Sequence, residues 1–160
     1  MIRGRCLGVL QVSEQQIEIV RTFEFPVDVL FAAFTDGELL EAWLAEEAEV
    51  DPRVGGHFRF VSTGDNEMPG DHICSGVYQV FEPAQRIVQS WVYEGSMTAE
   101  RLETQISIDF RAIDAGTSEL TFREAGALLV DPEENALAVA AWENAFDNLE
   151  EAVDELYAAE

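Results

Sequence analysis

An α+β fold, with an antiparallel sheet of about six or seven strands and one long C-terminal helix, is what this 160-residue chain predicts. Three observations lead there. Alternation of apolar and polar residues recurs from residue 57 to residue 124, broken at intervals by turn residues. Two short segments of helical period precede it, following a first alternating stretch. From Asp131 to about Tyr157 nothing interrupts a helix, a length of roughly 39 Å.

Residues 1–13 show no clear period. From Gln16 onward, Ile17, Ile19, Arg21, Phe23 and Phe25 fall on one face of a strand, with Glu18, Val20, Thr22 and Glu24 on the other. Pro26 stops that strand and opens a helix whose Val29, Leu30, Ala33 and Phe34 share one side. Thr35-Asp36-Gly37-Glu38 has the form of a capping box, so a second short helix is expected from about Gly37 to Ala45. Its apolar stripe is Leu39, Leu40, Trp43 and Leu44.

Val54-Gly55-Gly56 reads as a turn and His57–Val61 as the strand after it, with residues 62–72 a polar loop. Further strands are expected at about Ile73–Phe81, Arg86–Tyr93, Leu102–Ala112 and Ser118–Glu124. Glu82-Pro83, Glu94-Gly95-Ser96 and Asp114-Ala115-Gly116 separate them, a spacing that implies an antiparallel meander rather than crossover units. In the last element Asp131 is a good N-cap, Pro132 fits the first helical position, and Glu133 and Glu134 suit the positive end of the dipole. Leu137 or Val139, Trp142, Phe146, Leu149, Val153 and Leu156 form its apolar stripe, opposite Glu143, Asp147, Glu150, Glu151 and Asp154. With no internal repeat, linker or low-complexity tract, residues 1–160 read as one domain.

Charge narrows the function classes. Nine arginines, no lysine and 32 acids leave a net charge of −23. Such a surface repels phosphate backbones and anionic lipid, which argues against nucleic-acid and membrane partners. No stretch approaches the roughly 18–20 apolar residues that a membrane helix needs, and the run Cys6–Val12 is a poor signal peptide. Cys6 and Cys74 cannot build a disulfide framework, so both are expected as reduced thiols in a cytoplasmic protein. A genome rich in G and C favours arginine over lysine, whereas adaptation to high salt adds acids and suppresses lysine together; the acids are scattered along the chain as a surface property rather than gathered into a tail.

The order of elements is that of the helix-grip fold. Arg21–Leu44 (RTFEFPVDVLFAAFTDGELLEAWL) resembles the opening of the START-like proteins related to the C-terminal domain of the heat-shock-protein-90 ATPase activator. Asp51–Phe60 (DPRVGGHFRF) is similar to that family's glycine-pair strand, Gly76–Trp91 (GVYQVFEPAQRIVQSW) to its next hairpin, and Trp142 to its tryptophan in the last helix. The likeness covers about residues 16–157, which leaves 1–13 as an N-terminal extension, and Ala141 stands where glycine usually precedes the tryptophan. The resemblance implies a curved antiparallel sheet wrapped around the long helix, with a cavity between them. Its superfamily includes lipid carriers, hormone receptors, polyketide cyclases and co-chaperones, so fold alone does not choose a function.

No nucleophile elbow, phosphate loop or metal motif is present, and no cofactor is expected. Gly55-Gly56 lacks the helix that a phosphate cradle needs. His72 and Cys74 share a strand face, but the sequence nominates no further ligand for a metal. His57 is expected on the outer face. The residues best placed to line a cavity are aromatic: Trp43, Phe58, Phe60, Tyr78, Trp91, Phe110, Phe122, Trp142 and Phe146. Arg21, alternating with apolar residues, joins them as a group that needs an anionic partner from the protein or a ligand; Gln89 and Tyr93 are further polar candidates.

The expected function is therefore a non-catalytic binding protein, monomeric or homodimeric, holding a small apolar or amphipathic molecule between sheet and helix. The alternative is a cyclase- or hydratase-type enzyme using the same cavity, for which Glu47, Asp109 and Glu119 are the candidate acids. A third reading is a chaperone-associated protein of ATPase-activator type.

Overall fold

The computed structural model describes residues 16–63, 70–95 and 102–158. The 1–13 extension with Cys6 and the middle of the 62–72 loop lie outside these residues. The alternating segments become β1 (Gln16–Phe23), β3 (His57–Ser62), β4 (His72–Glu82), β5 (Arg86–Gly95), β6 (Leu102–Asp114) and β7 (Thr117–Ala125). Between β1 and β3 lie α1 (Val27–Thr35), α2 (Gly37–Trp43) and β2 (Glu47–Val50); a 3-10 turn (Ala127–Val130) leads into α3 (Pro132–Ala158). The strands form one antiparallel sheet in the order β1-β7-β6-β5-β4-β3-β2. Consecutive strands from β2 to β7 are neighbours, while β1 returns to pair with β7, Gln16 opposite Ala125. Helices α1 and α2 thus carry the chain from one sheet edge to the other. The result is a helix-grip fold, a curved sheet around a C-terminal helix.

Local chemistry explains where the elements begin and end. Asp36, rather than the expected Thr35, caps α2: its side chain accepts from the Glu38 N–H at 2.9 Å, while Thr35 Oγ1 donates back to Phe31 O. Helix α2 stops at Trp43, short of the expected Ala45, because the chain turns toward β2, with the Glu46 N–H just before that strand donating to Val61 O. Strand β2 was not anticipated. Its sequence, Glu-Ala-Glu-Val, is a short, half-exposed edge with little apolar signal. In the turn before β3, Gly55 sits at φ +82°, and a Cβ on Gly56 would lie 1.9 Å from Asp51 O, so both glycines are required.

Period-two alternation fills the core. Ile17, Ile19, Phe23, Phe58, Phe60, Ile106, Ile108, Phe110, Leu120 and Phe122 are all buried on the inner face. Helix α3 contributes Trp142, Phe146, Leu149 and Val153, each 8 % exposed or less. The expected stripe is shorter than the helix, for Leu137 and Leu156 are 60 % and 45 % exposed. Phe146 meets Phe122 at 5.4 Å and Phe34 at 6.3 Å, and Trp43 Nε1 donates to Ala33 O at 2.8 Å to tie α2 to α1.

Candidate functional site

Aromatic packing leaves almost nothing empty at the centre of the sheet. The void bounded by Trp43, Phe60, Gln89, Trp91, Phe122 and Trp142 measures about 10 Å³, the space of a single water at most. Among several open clefts of similar size, the most apolar lies at one end of the sheet, under the first half of α3, as a pocket of about 710 Å³. Strand β4 supplies His72, Ile73 and Cys74 to its wall, and β5 supplies Trp91, Tyr93 and Glu94. Across from them α3 presents Leu137, Ala138, Ala141, Trp142 and Ala145, with Leu44 closing one side. The alanines are what make the room: a larger residue at these positions would fill it.

Glu124 forms the polar floor. It sits near the end of β7 in alternation with Leu120 and Phe122, so it points inward, and it is 1 % exposed. Its Oε2 accepts from Tyr93 OH at 2.6 Å and from Thr104 Oγ1 at 2.7 Å, while Oε1 accepts from Trp142 Nε1 at 2.9 Å. Three neutral donors from two strands and a helix therefore converge on one buried carboxylate, and among the described residues no arginine pairs with it. Burial, then the charge of Glu124, pushes the Cys74 thiol up to about 12; the Trp91 indole N–H opposes the rise. Burial and the same carboxylate push the Tyr93 hydroxyl well above its ordinary value, so Tyr93 stays a donor. The buried Trp91 Nε1, beside Cys74, has no well-formed hydrogen bond.

The sequence matches the family model described as activator of Hsp90 ATPase homolog 1-like protein over residues 24–154. The chain belongs to this family. No curated protein matches it. Among solved structures, a protein from Rhodobacter sphaeroides is 26 % identical, with a TM-score of 0.69 over 92 % of this chain and 95 % of that one. DynU16, from the dynemicin biosynthetic locus, is 18 % identical with a TM-score of 0.71, covering 88 % of this chain and 47 % of its own. An Hsp90 activator from Plasmodium falciparum is 23 % identical with a TM-score of 0.53, covering 70 % of this chain and 73 % of that one.

Within this activator-homolog fold the expected cavity residues occupy four places. Trp91 and Trp142 line the pocket. Trp43, Phe60 and Phe122 reach the small central void, while Phe58, Tyr78, Phe110 and Phe146 are packed in the core around it. Arg21 lies apart on the sheet edge, where it finds its anionic partners in Asp147 at 2.7 Å and Glu150 at 2.9 Å. Of the candidate acids, Glu47 is exposed on β2 and Asp109 and Glu119 are on the outer face, bound by Arg123 and Arg111 respectively. His72 and Cys74 do share the pocket wall, and among the described residues no three metal-binding side chains gather anywhere. Among the described residues no helix is long and apolar enough to cross a membrane. Glu124 went unnoticed in the sequence although strict alternation from Leu120 marks it as inward.

Proposed function

We propose that this protein is a non-catalytic binding protein holding a small apolar or amphipathic molecule in the pocket between α3 and the ends of β4 and β5. The pocket itself supports this reading most: about 710 Å³ of mainly apolar space with a single organised polar cluster at its floor. A cytoplasmic location and a monomeric or homodimeric state belong to the same proposal. The direct test is native mass spectrometry for a co-purifying small molecule, followed by titration of a neutral fluorescent hydrophobic probe. The probe should bind wild type and bind Ala141→Trp, which fills the pocket from α3, much more weakly. Equal binding by both, or none by wild type, would remove the proposal.

A second reading has one observation in its favour. Glu124 and Tyr93, 2.6 Å apart at the polar floor of an otherwise apolar pocket, are the pair of groups that a proton-transfer enzyme of cyclase or hydratase type would use. The biosynthetic locus of DynU16 lends it some support. Association with an Hsp90-type ATPase rests on the family description and on the name of the Plasmodium relative.

A further inference from the structure

The charge inside the pocket is unbalanced. Among the described residues Glu124 accepts only from neutral donors, and Glu94 and Glu134 stand exposed at the rim. His72 is the only basic side chain among the described lining residues. A carboxylate has about four acceptor sites on its two oxygens. Tyr93 and Thr104 use two on Oε2 and Trp142 uses one on Oε1, so that among the described residues one on Oε1 is left. Around this floor stand three aromatic rings at steep angles. Trp91 meets Trp142 at 5.8 Å and 65°, and Tyr93 at 6.1 Å and 61°. Tyr93 and Trp142 turn their O–H and N–H edges to the carboxylate, so a cation seated on Glu124 would lie among aromatic side chains.

From this juxtaposition we infer that the pocket selects an apolar guest carrying one cationic nitrogen, an amine head on an apolar body, over neutral or anionic guests of the same size. The inference rests on the pocket-binding proposal above. The amine donates to the open site on Glu124 Oε1 and neutralises a charge that no described arginine pairs. Trp91, Tyr93 and Trp142, which line the pocket, take the place of part of its lost water shell. A neutral alcohol can donate the same hydrogen bond but brings no charge. A carboxylate head meets Glu124 below and Glu94 and Glu134 above, so its burial is opposed at every step.

The test uses three molecules with one tail: decylamine, 1-decanol and decanoate. Each competes with the neutral probe for the intact protein at about 0.1 M and about 1 M sodium chloride. The amine should bind at least about tenfold more tightly than the alcohol, with decanoate weakest, and this order should persist at high salt because a buried pair is screened little. Glu124→Gln should bring the amine-to-alcohol ratio close to one. Equal affinity of amine and alcohol, a preference that vanishes in high salt, or one that survives Glu124→Gln would each overturn the inference. Loss of the preference in salt would assign it to the acidic surface instead. If Glu124→Gln does not fold, the wild-type salt series decides alone. Failure of all three to displace the probe, or of the probe to bind, would overturn the pocket proposal as well, whereas binding without head-group preference would overturn only this inference.

Discussion

Trp142 serves two purposes with one side chain. Its ring packs against Phe122 at 4.5 Å, while its indole N–H reaches Glu124 at 2.9 Å. Trp142→Phe keeps most of the packing and deletes the donor, which leaves a buried carboxylate short of a partner; it should cost about 1–3 kcal/mol in urea denaturation. A cost near zero would show that water replaces the indole. Burial also raises the acid groups of the pocket and core. Cys74 is pushed up to about 12, and Tyr78 and Tyr93 are raised as well, chiefly by desolvation. In the unfolded chain these groups lose their protons first, so the native state binds more protons and stability falls as pH rises. For Cys74 the decline runs from about pH 8.5 to about 12, at up to about 1.4 kcal/mol per pH unit, with the two tyrosines joining above about pH 10. Urea midpoints at a series of alkaline pH values should show it, and Cys74→Ser should remove the earliest part.

Helix α3 is held to the sheet edge by Arg21, whose guanidinium reaches Asp147 and Glu150 and lies 5.3 Å from the Phe23 ring centroid. Both carboxylates are solvent-exposed, so Arg21→Ala should cost only about 0.5–1 kcal/mol, and pocket binding should not change. A loss of probe affinity in that variant would mean that the edge contact sets the position of the helix over the pocket. The elements were largely legible in advance because a strand with one buried face writes its period into the residues: Phe58 and Phe60, or Ile106, Ile108 and Phe110. Strand β2 was not legible, since an edge of alternating glutamates resembles a loop. The pocket was less legible than the fold. Alternation tells which aromatic residues point inward but not how tightly they interlock, and interlocking closed the centre of the sheet. The space under α3 comes from alanines, whose small size is silent in a hydrophobic pattern. Glu124 was within reach of the alternation rule, because it follows Phe122 by two.

For the whole molecule, the dominant anomaly is charge. From Glu124 to Glu160 the sequence has eleven acids and no arginine or lysine. Glu143 and Asp147, Asp147 and Glu151, Glu150 and Asp154, and Glu151 and Glu155 are like-charge pairs four apart on α3, each unfavourable by about 0.2–0.5 kcal/mol when unscreened. Several also crowd the negative end of the helix dipole. Since the Debye length falls from about 10 Å at 0.1 M to about 3 Å at 1 M salt, the melting temperature should rise as sodium chloride goes from millimolar to molar. A flat profile would mean that the acidity reflects composition alone. The same helix divides along its length: no residue from Pro132 to Ala141 is buried, whereas Trp142, Phe146, Leu149 and Val153 all are. Cohesion is therefore concentrated in the second half, and the backbone amides of the first turns over the pocket should exchange with deuterium by local opening at a small fraction of the global unfolding energy. An occupant touching Leu137, Ala138 and Ala141 would slow that exchange while leaving the Phe146–Val153 stretch unchanged, so the position of newly protected amides would report the pocket's filling without any knowledge of what fills it.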